Sequence, residues 1–220
     1  SEEHDSIASL PIVLDFKKAS HNEGLAPYLR EYLRIDLKKW CENNQKADGT
    51  NYNIYTDGLK IHTTINSKMQ QYAESAVKSH IASLQDDFFK HWEGYTNAPF
   101  PEDFDKDQIN EILEQGMKRS DRYKRLKQMG VSEKNIYTDF RTKTKMRVFT
   151  WNGEKDTIMT PLDSVKYYKY FIHSGVMSMD PNTGHVKAYV GGIDYKYFKY
   201  DHVKIGRRQV GSTFKPFLYA

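Results

Sequence analysis

Cysteine is almost absent. The 220-residue chain carries one, Cys41, so no internal disulfide can form and cysteine usage leaves the redox compartment open. Long apolar runs are absent as well. No stretch approaches the roughly 20 residues of a membrane helix and no secretory leader opens the sequence, so an anchor for the parent protein is expected outside it. The eight histidines never pair at zinc-ligand spacing, which argues against a structural metal site. An excess of one charge is also missing. The 33 Lys+Arg against 29 Asp+Glu give +4, and the two signs read as interspersed, without the concentrated basic face that nucleic acid requires. The tract Tyr195-Lys196-Tyr197-Phe198-Lys199-Tyr200 reads as a solvated loop with its rings tucked onto a core. Hydrophobic content of 38% and a mean hydropathy of −0.79 suit an elongated module of several parts better than a self-contained globule.

What is present concentrates at the C-terminal end, Gly206-Arg207-Arg208-Gln209-Val210-Gly211-Ser212-Thr213-Phe214-Lys215-Pro216-Phe217-Leu218-Tyr219-Ala220. A small residue, then Ser-x-x-Lys, then an apolar run sets Ser212 on the first turn of a helix with Lys215 one turn on, their Cβ atoms roughly 5–6 Å apart. A serine hydroxyl is a weak nucleophile until a neighbour takes its proton. A lysine does so only where desolvation or another cation lowers its pKa. The helix N-terminus adds unpaired N–H groups able to hold an oxyanion. Ser75-Ala76-Val77-Lys78 repeats the pattern inside a long amphipathic helix, where it reads as solvated polar positions.

Context separates the two copies. Ser178-Met179-Asp180-Pro181-Asn182-Thr183-Gly184-His185-Val186-Lys187-Ala188-Tyr189-Val190-Gly191-Gly192, followed by Arg208 to Phe217, resembles the opening of the transpeptidase domain of class A penicillin-binding proteins. Upstream, His21 to Tyr28 and the segment from Gly58 to Trp92 resemble the piece that joins the glycosyltransferase and transpeptidase domains in that family. Two further family motifs, Ser-x-Asn and Lys-Ser/Thr-Gly, belong after the nucleophile. The loose matches Ser20-His21-Asn22 and His173-Ser174-Gly175 precede it and are coincidences. The expectation is a fragment cut inside a catalytic domain.

Along the chain, Ile12-Val13-Leu14 suggests an extended segment, and a helix starts at Pro27 with Leu29, Leu33, Leu37, Trp40 and Cys41 on one stripe. Asp48-Gly49 marks a turn. Gly58 to Ile65 alternates with period two and predicts a strand bearing Leu59, Ile61 and Ile65 on one face. Ser67-x-x-Gln70 fits a capping box opening a helix to near Trp92, with Met69, Tyr72, Ala73, Ala76, Val77, Ile81, Leu84 and Phe88 at core spacing. Residues 95–145 read as an insertion with two short helices, one about Ile109 to Leu113 and one about Tyr123 to Met129. Asn152-Gly153 predicts a type I′ hairpin between Met146–Trp151 and Glu154–Met159. Thr160-Pro161, with Asp163 in the first turn, starts a helix carrying Val165, Tyr168 and Phe171. Ile172–Met179 and His185–Val190 form two strands around an Asp-Pro-x-x-Gly turn.

The expected fold class is α+β. Linker helices and a short strand precede the opening hairpin and nucleophile helix of an antiparallel-sheet transpeptidase domain, like that of penicillin-binding proteins and β-lactamases and here incomplete. The domains expected are 1–57, linker after an absent glycosyltransferase domain; 58–94, linker strand and long helix; 95–145, insertion; and 146–220, start of the transpeptidase domain. The resemblance implies a serine D,D-transpeptidase of peptidoglycan synthesis, with Ser212 as nucleophile, Lys215 as its base and the Ser212 N–H as half of the oxyanion hole. It implies no metal or organic cofactor. Implied partners are the peptidoglycan stem peptide on lipid II-derived glycan, β-lactam antibiotics and cell-wall regulatory proteins. The implied location is the periplasmic face of the bacterial inner membrane, with the anchor outside this chain. The fragment itself is expected to be inactive. The alternatives are a non-catalytic partner-docking module and a related Ser-x-x-Lys hydrolase such as a D,D-carboxypeptidase.

Overall fold

The computed structural model describes residues 24–219, which fall into two compact units divided between Lys60 and Ile61. Ile12-Val13-Leu14 and residues 21–23 of the His21–Tyr28 match lie outside the described residues.

In the first unit, helix α1 (Pro27–Asn43) starts on Pro27 after Ala26, which has a left-handed backbone (φ 52°) and a methyl side chain that cannot cap the end. Pro at this position sacrifices an N–H that has no helical partner. Tyr28 and Cys41 are buried, whereas Trp40 is half exposed against the Tyr52 ring. The Asp48-Gly49 turn forms as expected. Gly49 takes φ +83°, Asp48 accepts the Thr50 N–H at 2.9 Å, and Gln45 bridges Asn51.

The second unit is built on helix α2 (Ser67–His91). Its cap lies one residue earlier than the capping box suggests. Asn66 accepts the Met69 N–H at 3.1 Å. Gln70 is thereby released from capping and is fully buried. The predicted strand over Gly58–Ile65 does not form. Alternation makes a strand only where a backbone neighbour completes a ladder; here the Thr64 hydroxyl and the Asn66 N–H reach strand β4 (Val186–Val190), at Val186 and Lys187. Ile61 is left half exposed.

Three helices follow where two were expected. They are α3 (Lys106–Arg119), α4 (Asp121–Gln128) and α5 (Glu133–Arg141), opened by Asp105, Ser120 and Ser132 caps. Asp105 and Gln108 form a complete capping box. Met117, Tyr123, Ile136 and Phe140 make their shared core, and the Arg122 guanidinium grips both oxygens of Asp139 at 2.7 and 2.8 Å.

Strands β1 (Thr144–Thr150) and β2 (Gly153–Met159) pair antiparallel with Thr150 opposite Gly153. The turn residues are therefore Trp151 and Asn152. Positive φ falls on Gly153 (+109°) and not on Asn152. This overturns the type I′ reading: that turn needs positive φ at both central residues, and the glycine is used one position later. Helix α6 (Pro161–Lys169) has the expected start, a Thr160/Asp163 capping box with Pro161 at the first position. Strand β3 (Val176–Met179) pairs antiparallel with β4. Their turn is closed by Gly184 (φ +70°), while Asp180 accepts the Asn182 N–H at 2.9 Å. The result is α+β with two separate two-stranded sheets.

The sheet carrying β4 is backed by α2. Val77 and Ile81 bury with Val190. The residues of the Ser212 segment, by contrast, are exposed and bury nothing. A second core gathers Phe149, Phe171 and Phe198, with Tyr167, Tyr168 and Tyr197 packed around it. The tyrosine-rich tract thus lies on a core, as expected.

Candidate active site

Ser212 is the second residue of a 3-10 turn (Gly211–Phe214) that runs directly into helix α7 (Lys215–Tyr219). Gly211 opens the turn at φ +51°, a left-handed backbone that costs glycine least. The Ser212 carbonyl accepts the Lys215 N–H, so one helical turn separates the two residues. The sequence expectation of Ser212 and Lys215 on adjacent turns therefore has a local basis. Both side chains are exposed, and among the described residues neither has a hydrogen-bond partner. Nothing described here encloses them, so the desolvated setting in which a lysine serves as base is not built by these residues. Ser75 and Lys78, the second copy of the pattern, sit exposed in the middle of α2, as solvated positions do. His173-Ser174-Gly175 lies between α6 and β3, where His173 stacks on His202 at 4.9 Å.

What leads the chain to Ser212 was not read from the sequence. Gln70 spans from α2 to β4: its Nε2 donates to the Tyr189 carbonyl (2.9 Å) and its Oε1 accepts the Tyr189 N–H (2.7 Å). The Tyr189 hydroxyl donates to buried Asp201 at 2.7 Å. The other Asp201 oxygen accepts the N–H groups of Val203 (2.9 Å) and Lys204 (3.1 Å), fixing the turn that starts the approach to Ser212. In that turn a Cβ on Gly206 would stand 2.6 Å from the His202 carbonyl, so the backbone passes where a side chain is excluded. Further along α2, Gln85 repeats the device, donating to the Tyr170 carbonyl and accepting the Ile172 N–H, both at 2.8 Å. The available signal was negative: two glutamines on the stripe that also carries Val77 and Ile81, where leucines would be expected.

The His173–His202 pair marks the most perturbed electrostatics near this segment. Burial, then the neighbouring His202, pushes His173 down to about 4, and its Nδ1 has no hydrogen-bond partner. His202 is lowered too, first by burial and then by Arg208.

A sequence profile described as the penicillin-binding protein middle domain matches residues 95–172. That match runs straight across the boundary expected at 145–146. Penicillin-binding protein 1A of Rickettsia typhi is 26% identical over 95% of this chain, and that of Haemophilus influenzae 26% identical over its whole length. The Escherichia coli protein of that name is 24% identical over 88%. Together these matches support a fragment of a class A penicillin-binding protein. The chain spans about a quarter of the length of these curated penicillin-binding proteins, covering 27%, 26% and 25% of them. No solved structure matches it. No helix among the described residues is long and apolar enough to cross a membrane.

Proposed function

We propose that this chain is the linker and the opening of the transpeptidase portion of a penicillin-binding protein that cross-links peptidoglycan at the outer face of the inner membrane. A glycan-polymerising domain would belong to the same protein. The observation that carries the reading is the Gly211–Lys215 turn, which sets Ser212 and Lys215 one helical turn apart, preceded in the chain by the β3–β4 hairpin, whose sequence resembles the family's opening strands. In the proposed reaction the Ser212 hydroxyl passes its proton to Lys215 and its oxygen bonds to the carbonyl carbon of the penultimate D-Ala of a stem peptide. The peptide bond to the terminal D-Ala breaks and that residue leaves as the amine, with the proton returned to it. An amine of a neighbouring stem then displaces Ser212 from the ester. β-Lactams would open on the same oxygen. The Ser212 N–H supplies one oxyanion donor.

The test is intact mass after incubation with benzylpenicillin, on a longer form of the chain that includes the downstream family motifs and on its Ser212→Ala variant. An adduct on the first and not on the second supports the reading; no adduct on the folded longer form overturns it. The 220-residue chain should give none, because one missing oxyanion donor alone costs about 10²–10³ in rate and the partners of Lys215 are also lacking. Acylation of the 220-residue chain would refute that part.

A further inference from the structure

Charge is not interspersed through the helical stretch, contrary to the reading of the whole sequence. From Asp86 to Glu114 nine carboxylates stand against two lysines, net −7; from Met117 to Arg147 eleven Lys and Arg stand against three carboxylates, net +8. The basic half is α4, α5, their flanks and the start of β1. Its few acids are already engaged. Asp139 is held by the Arg122 fork, Glu133 accepts the Tyr123 hydroxyl at 3.0 Å, and Asp121 lies in the first turn of α4, where the helix dipole favours it. Across the hairpin Asp156 answers Arg147 at 2.8 Å.

Left over, besides Arg119 and Lys127, are Lys124 and Arg125 on the outward side of α4, Lys134 and Arg141 seven residues apart on one side of α5, and Lys143 and Lys145 at the start of β1. All eight are exposed, and among the described residues none sits in an ion pair. The only exposed large apolar side chain between Met117 and Arg147 is Met129. A protein interface is normally centred on aromatic or aliphatic anchors, and an interfacial helix needs a continuous apolar face; this surface has neither. Cations on long flexible stems suit a ligand that repeats its negative charge, so that many weak contacts add.

We propose that this cationic face docks the uncross-linked glycan–peptide strand through its stem-peptide carboxylates. The proposal rests on the function inferred above, which supplies the polymer: each uncross-linked stem ends in a free carboxylate, repeated along the strand. Docking holds stems on the chain that carries Ser212 and so raises their local concentration, an effect screened over a Debye length of about 8 Å at physiological salt.

The test is fluorescence anisotropy of labelled, soluble, uncross-linked strands titrated with the 220-residue chain. Two variants are compared with it: Lys124→Gln/Arg125→Gln/Lys134→Gln, and a charge-matched control, Lys39→Gln/Lys68→Gln/Lys78→Gln. Thermal midpoints are checked first so that misfolding is not read as lost binding. Expected is salt-sensitive binding that falls about tenfold in the first variant, as three exposed ion pairs would give, and less than about twofold in the control. No binding at low salt, or equal loss in both variants, overturns the proposal. So does binding to phosphatidylglycerol vesicles in place of strands, which would assign the face to a membrane. Penicillin acylation of the longer form is scored separately. Acylation without strand binding refutes the docking face alone, and strand binding without acylation refutes the Ser212 reading alone.

Discussion

Gln70 and Gln85 do with side-chain amides what a neighbouring strand does with its backbone, each meeting one carbonyl and one N–H. Replacing either by leucine keeps the volume and strands both backbone partners. Because each buried unpaired group costs about 1–3 kcal/mol, Gln85→Leu should lower unfolding free energy by about 2–4 kcal/mol, measured by urea denaturation. A loss under about 0.5 kcal/mol would mean that water replaces the amide. Composition hid these residues, since glutamine on a helix reads as solvent-facing until its partners are known. His173 was equally illegible, because its burial comes from Phe198 and His202, far along the chain. Its folded pKa, about 4, lies below the ordinary 6.5, so the unfolded chain takes up the proton first. Stability is therefore full above pH 6.5 and falls as pH descends from there towards about 4. The partly exposed ring limits the loss to about 1–2 kcal/mol. His173→Phe should flatten this acid slope in denaturation series across the window; an unchanged slope would place its origin elsewhere.

Among the elements, those with strong local punctuation were readable. Thr160-Pro161-x-Asp163 announced α6, and Asp-Pro-x-x-Gly announced the β3–β4 hairpin, because the caps and turns are made by the residues that signal them. Elements that depend on remote partners were not. The 58–65 alternation looked like a strand yet found no ladder, and α5 was passed over although Ser132 caps it and Ile136 and Phe140 share a face. The contact of α3 with α6 was invisible for the same reason. Gly116 allows it: a Cβ there would lie 2.6 Å from Val165 Cγ1. Gly116→Ala gains helix propensity but must push Val165 aside, so a net loss of about 1–3 kcal/mol is expected. Adding Val165→Ala should recover part of it in a double-mutant cycle of melting temperatures. Strict additivity of the two changes would rule out the clash as the cause.

For the molecule as a whole, the C-terminal motif and its hairpin carried the family, while the averaged charge of +4 concealed two opposite blocks that lie next to each other in sequence. The surroundings of Lys215 were beyond reach from sequence, because a helical turn fixes its distance from Ser212 while enclosure would have to come from remote residues, and among the described residues Lys215 is exposed. The glutamine struts have one further consequence, in time rather than in energy. The amide hydrogens of Tyr189 and Ile172 point into helix side chains and not into a sheet ladder, and Gln70 and Gln85 are separated along α2 by about 22 Å at 1.5 Å per residue. Their deuterium uptake therefore times the lifting of each end of α2 from its bed. Equal rates would describe a helix that leaves as one rigid rod, and unequal rates a helix that peels from one end.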